Sequence, residues 1–264
     1  MSFQHLPKSS LGNTEIMRPT KFIVVCILAF ISSVAATVYF VYSMGGEMKM
    51  PGGWDMSMMW MLMPEQTWLE SVLIFLLMWL AMMITMMMPS VLPMFLKTRR
   101  QSGSLCLMAS GYFAIWLIAG GGIYVAGMLY GIYTMQSLLL SRIIPLLSGI
   151  SLIAVGTIQF TSWKMTHLLR CRSPLGCAVS YSQNETSFRI GCKQGVACCS
   201  CCATLMAIQL VLGIMNPVVM IAVAISIAAE KLFPRPEIIS RSIGIAAILG
   251  GVAMLVNWVM INYN

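Results

Sequence analysis

The chain has 264 residues, of which 59% are apolar and only 9% charged, and its mean hydropathy is +0.85. A soluble chain carries about a quarter charged residues, so this one lacks the polar groups to cover a water-facing surface and reads as integral to a membrane. Its net charge of +8 is spread over short loops with no basic surface beyond them, which excludes a nucleic-acid platform.

The expected fold class is all-α, a polytopic transmembrane helical bundle of about seven membrane segments, with six as the rival count. Residues 1–21 form a tail, and His5 there carries no signal. Residues 22–264 form a single transmembrane helical domain. The first span reads Phe22 to Tyr42. A methionine-rich loop follows at 43–68, YSMGGEMKMPGGWDMSMMWMLMPEQ and its flanks. Its glycines and prolines predict turns, while MSMMWMLM predicts a short interfacial helix with Trp54, Trp60 and Trp68 near the headgroups.

The second span runs from Leu69 to Leu96, with Pro89 and Pro93 near its end. The third runs from Cys106 to Tyr133 and holds Gly120 to Gly122 and the Gly127/Gly131 pair, small residues that read as close helix contacts. The fourth runs from Ile144 to Leu169. The stretch from Gly195 to Glu230 is 36 residues long, and as one helix it would extend about 54 Å, beyond the roughly 30 Å hydrocarbon core. Proline blocks helix continuation and restricts the residue before it, so the stretch breaks at Met215-Asn216-Pro217. Its second piece is short enough for a re-entrant or shallow hairpin. A last span runs from Ile239 to Val259.

With the N-terminus in the cytoplasm, Lys8, Arg18, Lys21, Lys97, Arg99 and Arg100 all fall inside. Arg170, Arg172, Arg189, Lys193, Lys231, Arg235 and Arg241 join them, leaving only Lys49 and Arg142 outside. That is a strong positive-inside bias. It places the 43–68 loop on the extracytoplasmic side, and it makes the Asn184-Glu185-Thr186 sequon cytoplasmic and irrelevant.

Of nine cysteines, seven lie between Cys171 and Cys202. The fourth span ends KMTHLLRCRSPLGC and the fifth begins GVACCSCC, so both approach the same membrane depth. His167 and Cys171 are four residues apart and share a helix face. Cys198, Cys201 and Cys202 fall within an arc of about 100°, with Cys199 roughly 60° outside it. One imidazole and several thiolates can meet there. Such donors suit copper(I), zinc or an iron–sulfur centre, and a reducing cytoplasm argues against stable disulfides. Cys177 and Cys192 are weaker candidates, and Cys26 and Cys106 read as small apolar residues. Lys164 reads as snorkelling to the cytoplasmic interface, with Glu230 near the same boundary.

Methionine is the larger anomaly, at 26 residues, eight of them between Met44 and Met63 and seven between Met78 and Met94. Thioethers are soft donors. Met48 with Met50, and Met56 with Met58, are candidates for external metal capture, against apolar packing as the alternative. Met78, Met82 and Met86 repeat every four residues beside Met83 and Met87. They read as adaptable core, or, for Met83, Met86 and Met87, as thioether donors beside the cysteines.

Together, MWLAMMITMMMPSVLPM, CRSPLG and the cysteine-rich start of the fifth span, followed by LGIMN and EKLFP, resemble the predicted metal-binding integral membrane protein family of bacteria and archaea. The resemblance runs from about Trp79 to Gly250 and implies a membrane fold with a metal site, without an established reaction. It supports Cys171, Cys198, Cys201 and Cys202 as ligands. His167 stands where members often carry cysteine, a ligand-for-ligand replacement. Arg170 stands where they often carry histidine, and Cys199 is extra.

The reading that follows is a membrane protein binding copper(I) or another soft metal, acting in metal handling or as an accessory subunit of a larger membrane enzyme complex. Its partners would be the lipid bilayer, membrane-protein subunits and the soft ion, with no nucleic acid. Rival readings are a soft-metal transporter, a metal-dependent membrane oxidoreductase and a noncatalytic structural subunit. No HExxH, glycine-rich nucleotide loop or paired carboxylates point to catalysis.

Overall fold

The computed structural model describes residues 19–44, 46–50, 54–60, 67–98, 104–172 and 186–263. The expectations for His5, Lys8, Arg18, Met61, Met63, Arg99, Arg100, Cys177, Asn184 and most of CRSPLG fall outside the described residues. In chain order the elements are α1 (Pro19–Met44), β1 (Glu47–Met50), β2 (Trp54–Ser57), a 3-10 turn (Met58–Trp60), α2 (Trp68–Thr98), α3 (Leu105–Gln136), α4 (Leu138–Ile158), α5 (Ser162–Arg172), α6 (Ser187–Leu212), α7 (Pro217–Leu232) and α8 (Pro236–Tyr263).

This is an all-α bundle with, among the described residues, 6 helices long and apolar enough to cross a membrane: α1, α2, α3, α4, α6 and α8. The remaining apolar helix, α7, has 16 residues and spans only about 24 Å. It is the short piece expected after the Asn216-Pro217 break. Gly213 ends α6 at φ 115°, a left-handed conformation that glycine adopts without a Cβ clash. Asn216 then caps α7, its Oδ1 accepting from the amides of Val218 and Val219 at 3.0 and 3.3 Å, and Pro217 fills the first helical position where no donor is needed.

The span expected over Ile144–Leu169 is divided. It breaks at Gln159–Thr161, after α4 ends and before α5 begins. The cause is polar. Ser240 on α8 donates to both the carbonyl and the Oε1 of Gln159, each at 3.1 Å. Thr161 Oγ1 accepts from the Lys164 amide at 3.4 Å, as an N-cap side chain does.

The methionine-rich loop also differs from expectation. Where it is described, residues 46–50 and 54–60, it forms an antiparallel hairpin in which Met48 faces Met56, followed by a 3-10 turn over Met58–Trp60 in place of the start of the expected interfacial helix. The Met58 amide closes the hairpin onto the Gly46 carbonyl at 3.0 Å, and the Trp54 indole donates to Ser141 O at 2.8 Å. Trp60 lies in the notch left by Gly127 and Gly131 on α3, so these glycines admit an indole and not a helix. Gly120 likewise faces Trp79, while Gly121 and Gly122 face open space.

Two helix pairs approach most closely through glycine. On α4 and α8, Gly149 meets Gly251 and Gly156 meets Gly244, and a Cβ on Gly251 would stand 2.7 Å from Gly149 O. On α3 and α6, Gly191 abuts the backbone of Met108 and Tyr112, and a Cβ on Gly195 would stand 2.9 Å from Tyr112 O. Small residues let membrane helices touch at backbone distance. A Gly191→Val variant is therefore expected to lose about 1–3 kcal/mol of stability by overpacking. Gly121→Val, with nothing to strike, should stay within about 0.5 kcal/mol of the parent. Thermal unfolding in detergent checks both.

α2 supplies the centre of the core. Met78, Met82, Met83, Met86 and Met87 are all buried there with Phe75 and Trp79, so the four-residue repeat marks an inward face.

Candidate metal centre

α6 turns Cys198, Cys201 and Cys202 to one side by their spacing of three and four residues. All three are buried. Cys202 Sγ lies 4.0 Å from Cys198 Sγ and 3.6 Å from Cys201 Sγ. α5 ends beside them, and its Cys171 completes a group in which the sulfurs of Cys171, Cys198 and Cys201 all lie within 4.8 Å of one another. The eight described cysteines are free thiols, and these separations are far beyond a disulfide bond.

The spacing suits an ion. A metal about 2.3 Å from each sulfur needs sulfur–sulfur edges of about 3.8 Å in tetrahedral or 4.0 Å in trigonal geometry. The separations among Cys171, Cys198 and Cys201 are at most 4.8 Å, within about 1 Å of both lengths, and Cys202 adds edges of 3.6 Å to Cys201 and 4.0 Å to Cys198. Thiol chemistry selects a soft or borderline ion.

Other elements complete the surroundings. Met87 on α2 places Sδ 4.0 Å from Cys198 Sγ. Tyr112 on α3 donates its hydroxyl to the same sulfur at 2.9 Å. Lys231, at the end of α7, brings Nζ to 2.9 Å from Cys198 Sγ and 3.9 Å from Met87 Sδ. A cavity of about 260 Å³ opens beside the group, lined by Tyr112, Cys171, Arg172, Cys198 and Lys231 among others. The ammonium offsets the negative charge that ionised thiols would carry in this low-dielectric setting.

One layer out, Lys164 is fully buried and does not snorkel. Its Nζ donates to Cys201 O at 2.8 Å, Thr204 Oγ1 at 3.2 Å and Glu230 Oε2 at 2.9 Å. Arg172 donates to the Glu230 carbonyl at 2.9 Å. This network ties α5, α6 and α7 together around the thiols.

Several expected participants lie elsewhere. His167 is not in the thiol group. Its ring lies against Trp163 in a tilted arrangement with centroids 4.3 Å apart, and Nδ1 lies 2.9 Å from Trp163 O. The inward stripe of α5 is Lys164, Leu168 and Cys171, and His167 sits beside it. Cys199 and Cys192 are half-buried off the group. Met83 and Met86 are buried in the core, four residues and one residue before Met87 on α2, so Met83 lies one turn back along the Met87 face. Of the hairpin methionines, Met48 pairs across to Met56, Met50 and Met56 are buried, and Met58 packs its sulfur over Gly46. Tyr112 and Lys231 were missed as neighbours. Tyr112 gives no signal in an apolar span, whereas Lys231 ends an apolar helix directly after an acidic residue.

Residues 76–254 match a family model described as PpoB2, copper chaperone. That interval contains Met87, Tyr112, Cys171, Cys198, Cys201, Cys202 and Lys231. No curated protein and no solved structure matches the chain.

Proposed function

We propose that this chain, which belongs to the PpoB2 copper-chaperone family, holds one copper(I) ion in the membrane for transfer to a larger membrane enzyme complex. Cys171, Cys198 and Cys201 are the proposed ligands, with Cys202 and Met87 as further sulfur donors within reach. His167, Cys199, Met83 and Met86 are not needed for the ion to be held. The observation that carries this reading is the convergence of three buried sulfurs from two helices within 4.8 Å, in a multi-pass membrane protein of a copper-chaperone family.

Copper(I) is preferred to zinc or an iron–sulfur centre for two reasons. The donors are all sulfur, one of them a thioether, a set that suits soft copper(I) somewhat better than borderline zinc. A lysine ammonium also lies against the central thiol, a position in which a lower metal charge is easier to accommodate. With the N-terminus inside, the thiol group lies in the cytoplasmic half and its cavity opens toward that side. Transfer then proceeds by ligand exchange: a copper–sulfur bond to Cys171 or Cys198 breaks as a bond to a donor of the recipient forms, the freed thiolate takes up a proton, and the oxidation state is unchanged.

The test is metal analysis of gently purified protein loaded anaerobically with copper(I), with X-ray absorption at the copper edge. Close to one copper(I) per chain in an all-sulfur shell is expected. His167→Ala should retain it. Negligible metal in the wild type after anaerobic handling, or a nitrogen-dominated shell lost in His167→Ala, would remove this reading.

A further inference from the structure

The group at Cys198 contains a cation already. Lys231 Nζ is 2.9 Å from Cys198 Sγ and 3.9 Å from Met87 Sδ, and those two sulfurs are 4.0 Å apart. The three atoms form a compact triangle in which the ammonium occupies one corner and soft donors the other two. Tyr112 donates to the same Cys198 sulfur from another direction at 2.9 Å. Lys231 comes from α7, the short helix, whose last turn it occupies. A lysine serving only as an interfacial anchor would direct its ammonium to water, whereas this one directs it to a thiol.

We propose that Lys231 is a specificity-determining residue, making the thiol group favour a monovalent ion over a divalent one. This rests on the reading of Cys171, Cys198 and Cys201 as a metal centre. The physical argument is independent of how many thiols ionise. For any one set of sulfurs, the ammonium repels a divalent ion by one more unit of charge than it repels a monovalent ion. A metal bonded to Cys198 Sγ at about 2.3 Å lies no more than about 5.2 Å from the observed Nζ position. At that distance the extra unit of repulsion shifts the ratio of the two affinities by about 200-fold at an effective dielectric of about 20. In bulk water the shift is about fourfold. A half-buried ammonium against buried thiols sits between these limits and nearer the first.

The arrangement also supplies a place for the ammonium to go. Lys231 lines the cavity of about 260 Å³ together with Cys171, Arg172 and Cys198. As the ion arrives, Nζ withdraws into that space while remaining near enough to compensate the copper–thiolate charge. Neutral zinc-binding thiol sites need no such resident cation, so its presence separates the two metals by charge where sulfur softness alone separates them weakly.

The test measures copper(I) and zinc(II) affinities of the purified, reduced full chain by competition with chromophoric chelators under anaerobic conditions. Wild type is compared with Lys231→Gln, Lys231→Leu and Lys231→Arg. Two neutral replacements, one polar and one apolar, ensure that a folded one can be read. In either neutral variant the copper(I)/zinc(II) affinity ratio is expected to fall at least about tenfold. Lys231→Arg, which keeps the charge, should hold the ratio within about threefold of wild type. An unchanged ratio in a folded neutral variant overturns the proposal while leaving the metal centre intact. So does a fall in Lys231→Arg equal to that in the neutral variants, since packing and not charge would then be responsible. A wild type that binds neither ion removes the metal centre itself and the inference with it.

Discussion

Replacing Cys198 by alanine is expected to lower copper(I) affinity by at least about 100-fold, because even partners that only orient a ligand cost 10–100-fold when removed. Cys198 is the hub of the group. Its sulfur is within 4.0 Å of Cys202 Sγ and Met87 Sδ, within 4.8 Å of Cys171 and Cys201, and 2.9 Å from both Tyr112 and Lys231. Cys202 reaches Cys201 at 3.6 Å but lies outside the mutual group with Cys171, so it does not restore the contact of α6 with α5 that Cys198 makes. Cys198→Ser should fail nearly as badly, because a hydroxyl oxygen is a hard donor that suits copper(I) poorly. Cys199→Ala, one position along the same helix, should stay within about threefold of wild type and so controls for helix stability. Competition titration against a copper(I) chelator measures all three. A Cys198→Ala protein that retained wild-type affinity would show that the metal is held elsewhere.

Much of the thiol group is legible in the sequence. Spans of twenty apolar residues and the Asn216-Pro217 break depend on local chemistry alone, and they define α1, α2, α3, α7 and α8 to within a few residues, whereas α6 begins at Ser187, about two turns before the expected Gly195. The inward arc of Cys198, Cys201 and Cys202 follows from helical periodicity, and proximity to Cys171 follows from both segments flanking one loop. What failed depended on which side of a helix faces inward. Four residues correspond to about 400° of rotation, so His167 and Cys171 differ by about 40° and either side of that stripe could have been the buried one. A lysine at the membrane boundary argues for a water-facing stripe, yet Lys164 joins Leu168 and Cys171 on the buried side because Glu230 meets it from another helix.

The remaining misses share that cause. Lys231 looked like one more inside cation, since the positive-inside pattern explains every cytoplasmic lysine equally well. The α4–α5 break depends on Ser240, which is 81 residues away from Gln159, and the hairpin depends on Gly46 and on Trp60 finding Gly127. Pairings of that kind are invisible to periodicity.

The second large effect is expected away from the sulfurs. Lys164→Met should destabilise the protein by about 3–5 kcal/mol, the range for removing one partner of a buried ion pair and leaving the other charge uncompensated. The pair qualifies without discount for solvent, since the Lys164 and Glu230 side chains are 0% and 1% exposed and Nζ lies 2.9 Å from Oε2. All three ammonium protons are used, by Glu230, Thr204 and the Cys201 carbonyl. Glu230→Leu alone should be comparably harmful, because it strands the lysine. The double variant Lys164→Met/Glu230→Leu should recover most of the loss, as apolar replacement of a whole buried pair is often neutral. Thermal unfolding in detergent, followed by tryptophan fluorescence, gives the cycle. Copper(I) affinity adds a second readout. Lys164 touches no sulfur, yet it holds α5 to α6 and α7, so its loss frees Cys171 from Cys198 and Cys201 and should weaken metal binding even in the fraction that remains folded. The double variant separates the two effects: stability returns while the cross-helix anchor at the Cys201 carbonyl does not. If Lys164→Met proved as stable as wild type, the ion pair would be a bystander, and the orientation of Cys171 would have to come from the packing of Leu168 and Arg172 alone.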